Sequence, residues 1–199
     1  MPTIQQANPV SWGTPLWEDL EPPRPIHQMM LNQVSFHEGD LRRVQYPYKD
    51  PLVVNLLVSI CLVRRVIIDL GSSANIIAKW TFDQLKLATD QIRPTINPLV
   101  GFNGRRVEPI GIITLSVTAI NRSLKENFVI VDIHPTYNLL MGQGWINRIE
   151  GVPSTLHQVM RCVSPNGQEV IDIWGDQVTT KEWYHITIYP TDKGKKLLK

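Results

Sequence analysis

Residues 113–119 read Ile-Thr-Leu-Ser-Val-Thr-Ala, and this strict alternation constrains the fold more than any other stretch of the chain. Ile113, Leu115, Val117 and Ala119 share one face while Thr114, Ser116 and Thr118 share the other, the period of a strand with one side in a core and one in water. The texture continues on both sides of it. Asn121-Arg122-Ser123 turns the chain into Phe128-Val129-Ile130-Val131, and Pro165-Asn166-Gly167 divides a strand ending near Val163 from one starting near Val170; these residue types favour tight turns. Residues 52–58 and 62–68 predict a buried hairpin, although Ser59-Ile60-Cys61 between them lacks the usual Gly or Asn. Helical spacing is confined to residues 78–87, with a second short turn near 145–149. The expected fold class is all-β.

At 199 residues the chain holds one domain of ordinary size with extensions. An apolar fraction of 43% supplies a core, and a formal net charge of +2 fits neither an acidic solvating chain nor a strongly basic nucleic-acid binder. Pro9, Pro15, Pro22, Pro23 and Pro25 interrupt residues 1–33 before any period is established, which predicts an extended, proline-rich leader or linker. Residues 34–186 are expected to carry the folded domain and 187–199 a basic, solvated tail or linker. Cys61 and Cys162 make no ligand spacing with each other or with the five histidines. Both are expected to be reduced and structural, with no metal and no cofactor. The longest apolar stretch, 52–63, contains Asn55 and Ser59, stops at Arg64, and is too short to span a bilayer. No basic region followed by an apolar one opens the chain. The expectation is an intracellular, cytoplasmic protein with no membrane partner.

The stretch Val66-Ile67-Ile68-Asp69-Leu70-Gly71-Ser72-Ser73-Ala74-Asn75-Ile76-Ile77 poses the chemical question, because a carboxylate at the end of an apolar strand is costly to desolvate. Asp50-Pro51-Leu52-Val53-Val54 precedes it, and Pro98-Leu99-Val100-Gly101-Phe102 and the rest of a glycine-rich loop, Asn103-Gly104, follow. Tyr137-Asn138-Leu139-Leu140-Met141-Gly142, Ser154-Thr155-Leu156-His157 and Gly175-Asp176-Gln177 come later. In this order the blocks resemble the retropepsins, the aspartic proteases of retroviruses and LTR retrotransposons. The likeness is strongest to the Gag-Pol polyproteins of gypsy-type elements of plants. It spans about residues 34–186 and implies a closed β-barrel lobe with one short helix and extended termini.

The resemblance implies that Asp69 is catalytic and that Leu70, Gly71 and Ser72 form the turn that orients its carboxylate, with the Ser72 hydroxyl donating to it. Gly101, Phe102, Asn103 and Gly104 would form a flap that closes over bound peptide, and Leu140, Met141 and Gly142 would pack behind the site. Peptide hydrolysis of this kind needs two carboxylates about one hydrogen bond apart, one acting as base while the other is acid. The chain has one Asp-x-Gly-Ser. The implied partner is therefore a second copy of the chain across a two-fold axis, and the implied substrate a peptide or polyprotein.

Two positions depart from the family pattern. The turn is usually Asp-Thr-Gly or Asp-Ser-Gly, its hydroxyl bonding across the dimer axis to the partner's backbone. Leu70 has no hydroxyl, and a buried unsatisfied group costs about 1–3 kcal/mol. Gln143 stands where the family often has an arginine, which removes a charge-assisted bond near the dimer interface. Two functional classes stay open: an aspartic endopeptidase that trims its own polyprotein, and a catalytically dead module kept for dimerisation or interaction, or as a retroelement relic. A third would make residues 101–106 an anion-binding loop. That loop precedes a strand and not a helix, and no aromatic and basic residues interleave around it, so nucleic acid is not the expected partner.

Overall fold

The computed structural model describes residues 34–101, 104–119, 121–133, 136–164 and 169–181. The proline-rich leader, the basic tail and the Pro165-Asn166-Gly167 turn lie outside them. Eight strands precede the C-terminal region: β1 (Val53–Val58), β2 (Cys61–Ile68), β3 (Asn75–Ala78), β4 (Leu99–Val100), β5 (Arg106–Val107), β6 (Pro109–Ala119), β7 (Arg122–Val131) and β8 (Leu139–Met141). Six of them close into a barrel in the order β1-β2-β8-β3-β7-β6, an arrangement that leaves no open sheet edge. The fold is all-β, as the alternation requires.

β6 and β7 form the longest hairpin, paired from Ala119 opposite Arg122 to Pro109 opposite Val131. Ile113, Leu115, Val117 and Ala119 are buried, and they meet Phe128 and Ile130 in one core with Ile77, Leu139 and Met141. Each such side chain contributes about 1.5–3 kcal/mol through removal from water. The β1–β2 turn is tighter than the sequence suggests. Val58 pairs directly with Cys61, leaving two turn residues, and Ser59 takes the positive φ, 54°, that such a turn needs at its first central position. Serine stands where glycine or asparagine is usual.

The helices are short. α1 (Lys79–Gln84) ends before residue 87 because Lys86 adopts a left-handed φ of 51°, which cannot continue a helix. The turn expected near residue 145 is a full helix, α2 (Gln143–Arg148), which buries Trp145 and Ile146. Among the described residues no helix is long and apolar enough to cross a membrane.

After α2, β9 (Gly151–Ser154), β10 (Val159–Val163) and β11 (Val170–Trp174) form an antiparallel sheet in the order β11-β10-β9. Met160, Cys162 and Ile173 extend the barrel core into it. This sheet also anchors the start of the described chain. Arg161 on β10 bonds Asp40 through two nitrogens at 2.9 and 2.7 Å, bonds Asp172 at 2.9 Å, and donates to the Ser35 carbonyl. Both Arg161 and Asp40 are buried.

The Arg161 guanidinium and the His37 amide hold the Asp40 carboxyl below its ordinary value of 3.8, at about 2. The sign follows from linkage: a carboxyl depressed by folding adds stability above its unfolded pKa and loses it as pH falls through the folded one. Asp40→Asn is therefore expected to lower the urea midpoint at pH 7 and to flatten its decline between pH 4 and pH 2. A decline as steep as that of the unsubstituted chain, measured by urea melts across that range, would refute the assignment.

Candidate active site

β2 delivers Asp69 to the far end of an apolar strand, where Val66 and Ile68 are buried and the backbone then reverses. The Gly71 amide donates to Asp69 Oδ1 at 2.9 Å, and the Ser72 amide donates to the Asp69 carbonyl at 3.3 Å. Asp69 is half-buried, whereas Leu70 beside it is 55% exposed. In this single copy the Ser72 hydroxyl, expected to donate to the carboxylate, bonds elsewhere. It donates to the Ala74 carbonyl at 2.9 Å and accepts from the Ala74 amide at 3.4 Å, a local side-chain-to-backbone turn of the kind serine favours. In this single copy the turn donor on the carboxylate is the Gly71 backbone.

A strap crosses directly behind this turn. β8 runs parallel to β2 with Ile68 opposite Met141, and antiparallel to β3 with Ile76 opposite Leu140. The Met141 carbonyl accepts from the Asp69 amide at 3.0 Å, and the Gln143 amide donates to the Ser72 carbonyl at 2.8 Å. Between them the Gly142 amide donates to Asn75 Oδ1 at 2.9 Å. A Cβ on Gly142 would sit 2.5 Å from the Ala74 carbonyl oxygen and 2.8 Å from that of Ser72. Two backbones meet here at a separation that only glycine permits. The start of β8 is pinned as well, because Asn138 donates to the Arg64 carbonyl at 2.8 Å and accepts from Arg65 at 2.7 Å.

The glycine loop is a hairpin. Leu99 pairs with Val107 and Val100 with Arg106, and the Gly104 amide closes the turn on the Gly101 carbonyl at 2.9 Å. Gly104 has φ +74°, a left-handed conformation. Phe102 and Asn103 lie outside the described residues. Leu99 and Val107, at the hairpin's base, pack on a second apolar cluster formed by Ala74, Ile112, Val129 and Val131. Ala74 belongs to the turn that follows Asp69, so the hairpin and the carboxylate occupy the same side of the barrel.

The fold recurs in solved structures. The chain is similar to the retroviral protease-like domain of Ddi1 from Leishmania major, at 17% identity and a TM-score of 0.50, over 64% of this chain and 95% of that one. The fold is that of the retropepsin-like protease domains. The protease of EIAV, in complex with the inhibitor HBY-793, matches at 16% identity and a TM-score of 0.45, over 56% of this chain and 99% of that one. A retropepsin-like aspartic protease from Rickettsia conorii matches at 18% identity and a TM-score of 0.40, over 51% and 75%. No protein-family model and no curated protein matches the chain.

Behind the Asp69 turn lie three polar residues with no role evident from the sequence. Asn75 Nδ2 donates to Glu126 Oε2 at 3.0 Å and to the Asn127 carbonyl at 3.3 Å. Arg148 Nη1 lies 2.5 Å from Glu126 Oε1 and also donates to the Lys125 carbonyl at 2.8 Å. Glu126 is only 2% exposed. Burial pushes its carboxyl above the ordinary value, and Arg148 and Asn75 pull it part of the way back. The signal was present in the strand period, since Leu124, Glu126, Phe128 and Ile130 share the core-facing side of β7.

Gly142 and Gly144 stand two residues apart and give opposite expectations. Gly142→Ala forces the strap off the turn and is expected to cost roughly 1–3 kcal/mol or more. Nothing lies within 4 Å of a Cβ on Gly144, and alanine inside a helix is favoured over glycine by about 0.5–1 kcal/mol. Urea melts of the two variants should shift to opposite sides of the unsubstituted protein.

Proposed function

We propose that this chain is one half of an aspartic endopeptidase that acts as a homodimer on peptide or polyprotein substrates, with residues 34–186 as the protease domain. The observation that carries the reading is Asp69 at the tip of a turn strapped by Met141, Gly142 and Gln143, on the same side as a glycine hairpin. A single chain supplies one such carboxylate. Two copies meeting at Leu70 bring two Asp69 side chains together, where like charges cannot both ionise and one proton is shared. The ionised carboxylate takes a proton from water as the water oxygen attacks the scissile carbonyl. The protonated one donates to the carbonyl oxygen, and the amide nitrogen leaves with a proton. The hairpin at residues 101–104 serves as the flap that excludes bulk water from this cleft. The order of the sequence blocks supports an origin in the Gag-Pol polyprotein of a plant gypsy-type element.

A second reading rests on Leu70. Burying two half-exposed leucines at the axis stabilises the dimer by roughly 2 kcal/mol. Losing two hydroxyl bonds to backbone donors costs about 1–3 kcal/mol at each donor. The balance is neutral to unfavourable, so a lobe that keeps the fold and rarely assembles is the competing outcome.

Two measurements separate these readings. Asp69→Asn is expected to abolish an acid-favoured, pepstatin-sensitive cleavage of peptides; a sample shown to be dimeric that cleaves nothing sinks the protease reading. Leu70→Thr is expected to lower the dimer dissociation constant about tenfold, the equivalent of ~1.4 kcal/mol. Identical sedimentation of the two proteins would show that residue 70 does not limit assembly.

A further inference from the structure

We propose that Glu126 and Arg148 are positioning residues that clamp the Asp69 turn from behind, acting through Asn75 on the Gly142 amide. The consequence for catalysis rests on the protease reading; the clamp itself does not. Every hydrogen bond in the series points towards Glu126. The Gly142 amide donates to Asn75 Oδ1, Asn75 Nδ2 donates to Glu126 Oε2, and Arg148 Nη1 donates to Glu126 Oε1. An asparagine amide has one accepting and one donating end, so its orientation is set by what stands beyond it. With the Glu126 carboxylate and the Asn127 carbonyl both accepting there, Asn75 must turn its oxygen to Gly142. The strap is thereby held at three consecutive residues: Met141 and Gln143 by the turn, Gly142 by Asn75.

The cost of this device argues that it positions the site more than it stabilises the fold. A buried ion pair seldom improves on apolar residues of the same volume, while breaking one is costly. Glu126 faces Leu115 across the β6–β7 hairpin, between Leu124 and Phe128, where an apolar side chain would complete the core. β7 presents two acceptors to Asn75, the Glu126 carboxylate at 3.0 Å and the Asn127 carbonyl at 3.3 Å, and of the two only the carboxylate also meets Arg148. Arg148 also stands five residues beyond Gln143, so α2 supplies a cation that the strap itself lacks.

The decisive variant is Glu126→Gln. Glutamine can offer an acceptor to Asn75 or to Arg148, and whichever it chooses, its own amide group then faces a donor. One link must fail. Asn75→Ser breaks the series while leaving the Glu126–Arg148 pair intact, and Arg148→Lys keeps a cationic donor. Ile173→Val, in the core away from the turn, controls for general loss of stability.

Amide hydrogen exchange in the full chain, followed by NMR, reads the clamp directly. The Asp69, Gly142 and Gln143 amides are expected to exchange at least tenfold faster in Glu126→Gln and Asn75→Ser relative to the amides of β6 and β7. Arg148→Lys should produce a smaller change in the same three, and Ile173→Val should move all slow amides together. If the three turn amides instead keep step with β6 and β7 in every variant, the proposal is overturned; should Glu126→Gln fail to fold, Asn75→Ser and Arg148→Lys decide. In a cleavage assay the clamp predicts a fall in kcat with KM nearly unchanged. An unsubstituted chain that cleaves nothing removes the protease reading and leaves the exchange result to decide the clamp.

Discussion

Two stretches of backbone distant in sequence approach each other at Gly142 so closely that no side chain fits between them, and the barrel depends on that contact. β8 can lie between β2 and β3 only if its end passes behind the turn that joins those strands. The turn has two backbone groups, the Asp69 amide and the Ser72 carbonyl, that would be unpaired without it. A buried unpaired amide or carbonyl costs about as much as a lost hydrogen bond. The strap therefore satisfies the turn, and the turn fixes the register of the strap. Asp69 inherits its position from this exchange.

Two of the ion-pair networks among the described residues use charge in different ways. Arg161 joins Asp40 and Asp172 and ties residues 34–44 to the C-terminal sheet. Glu126 meets Arg148 and Asn75 beneath the turn. Removing either carboxylate takes one acceptor from its arginine, yet only the second network has a neutral amide between the charge and the backbone it holds. That amide transmits direction: it carries the acceptor demand of Gly142 to a carboxylate that β7 can supply.

Most of the barrel was legible in the sequence because alternation leaves little freedom. Ile113, Leu115, Val117 and Ala119 had one possible face, and their hairpin with β7 followed from the turn residues. The length of α1 was not legible, because Lys86 enters the left-handed region without being glycine, and the β1–β2 turn hid for the same reason at Ser59. At the site, Asp69, Gly71 and Gly142 were named only through the family resemblance, which also gave the Ser72 hydroxyl to the carboxylate, whereas the nearer Ala74 backbone competes for it. Glu126 was missed although its place in the strand period marks it as buried. Reading β7 from Phe128 onward, where the apolar run begins, left out the one acidic residue on its inner face.

Protonation of Glu126 acts on the fold and on the clamp in opposite directions. Glu126 binds its proton more tightly in the folded chain than in the unfolded one, since burial raises its carboxyl above the ordinary value, so lowering the pH through that range favours the folded state. The same proton must sit on an oxygen that now accepts from Asn75 or from Arg148, and it removes one end of the series that holds Gly142.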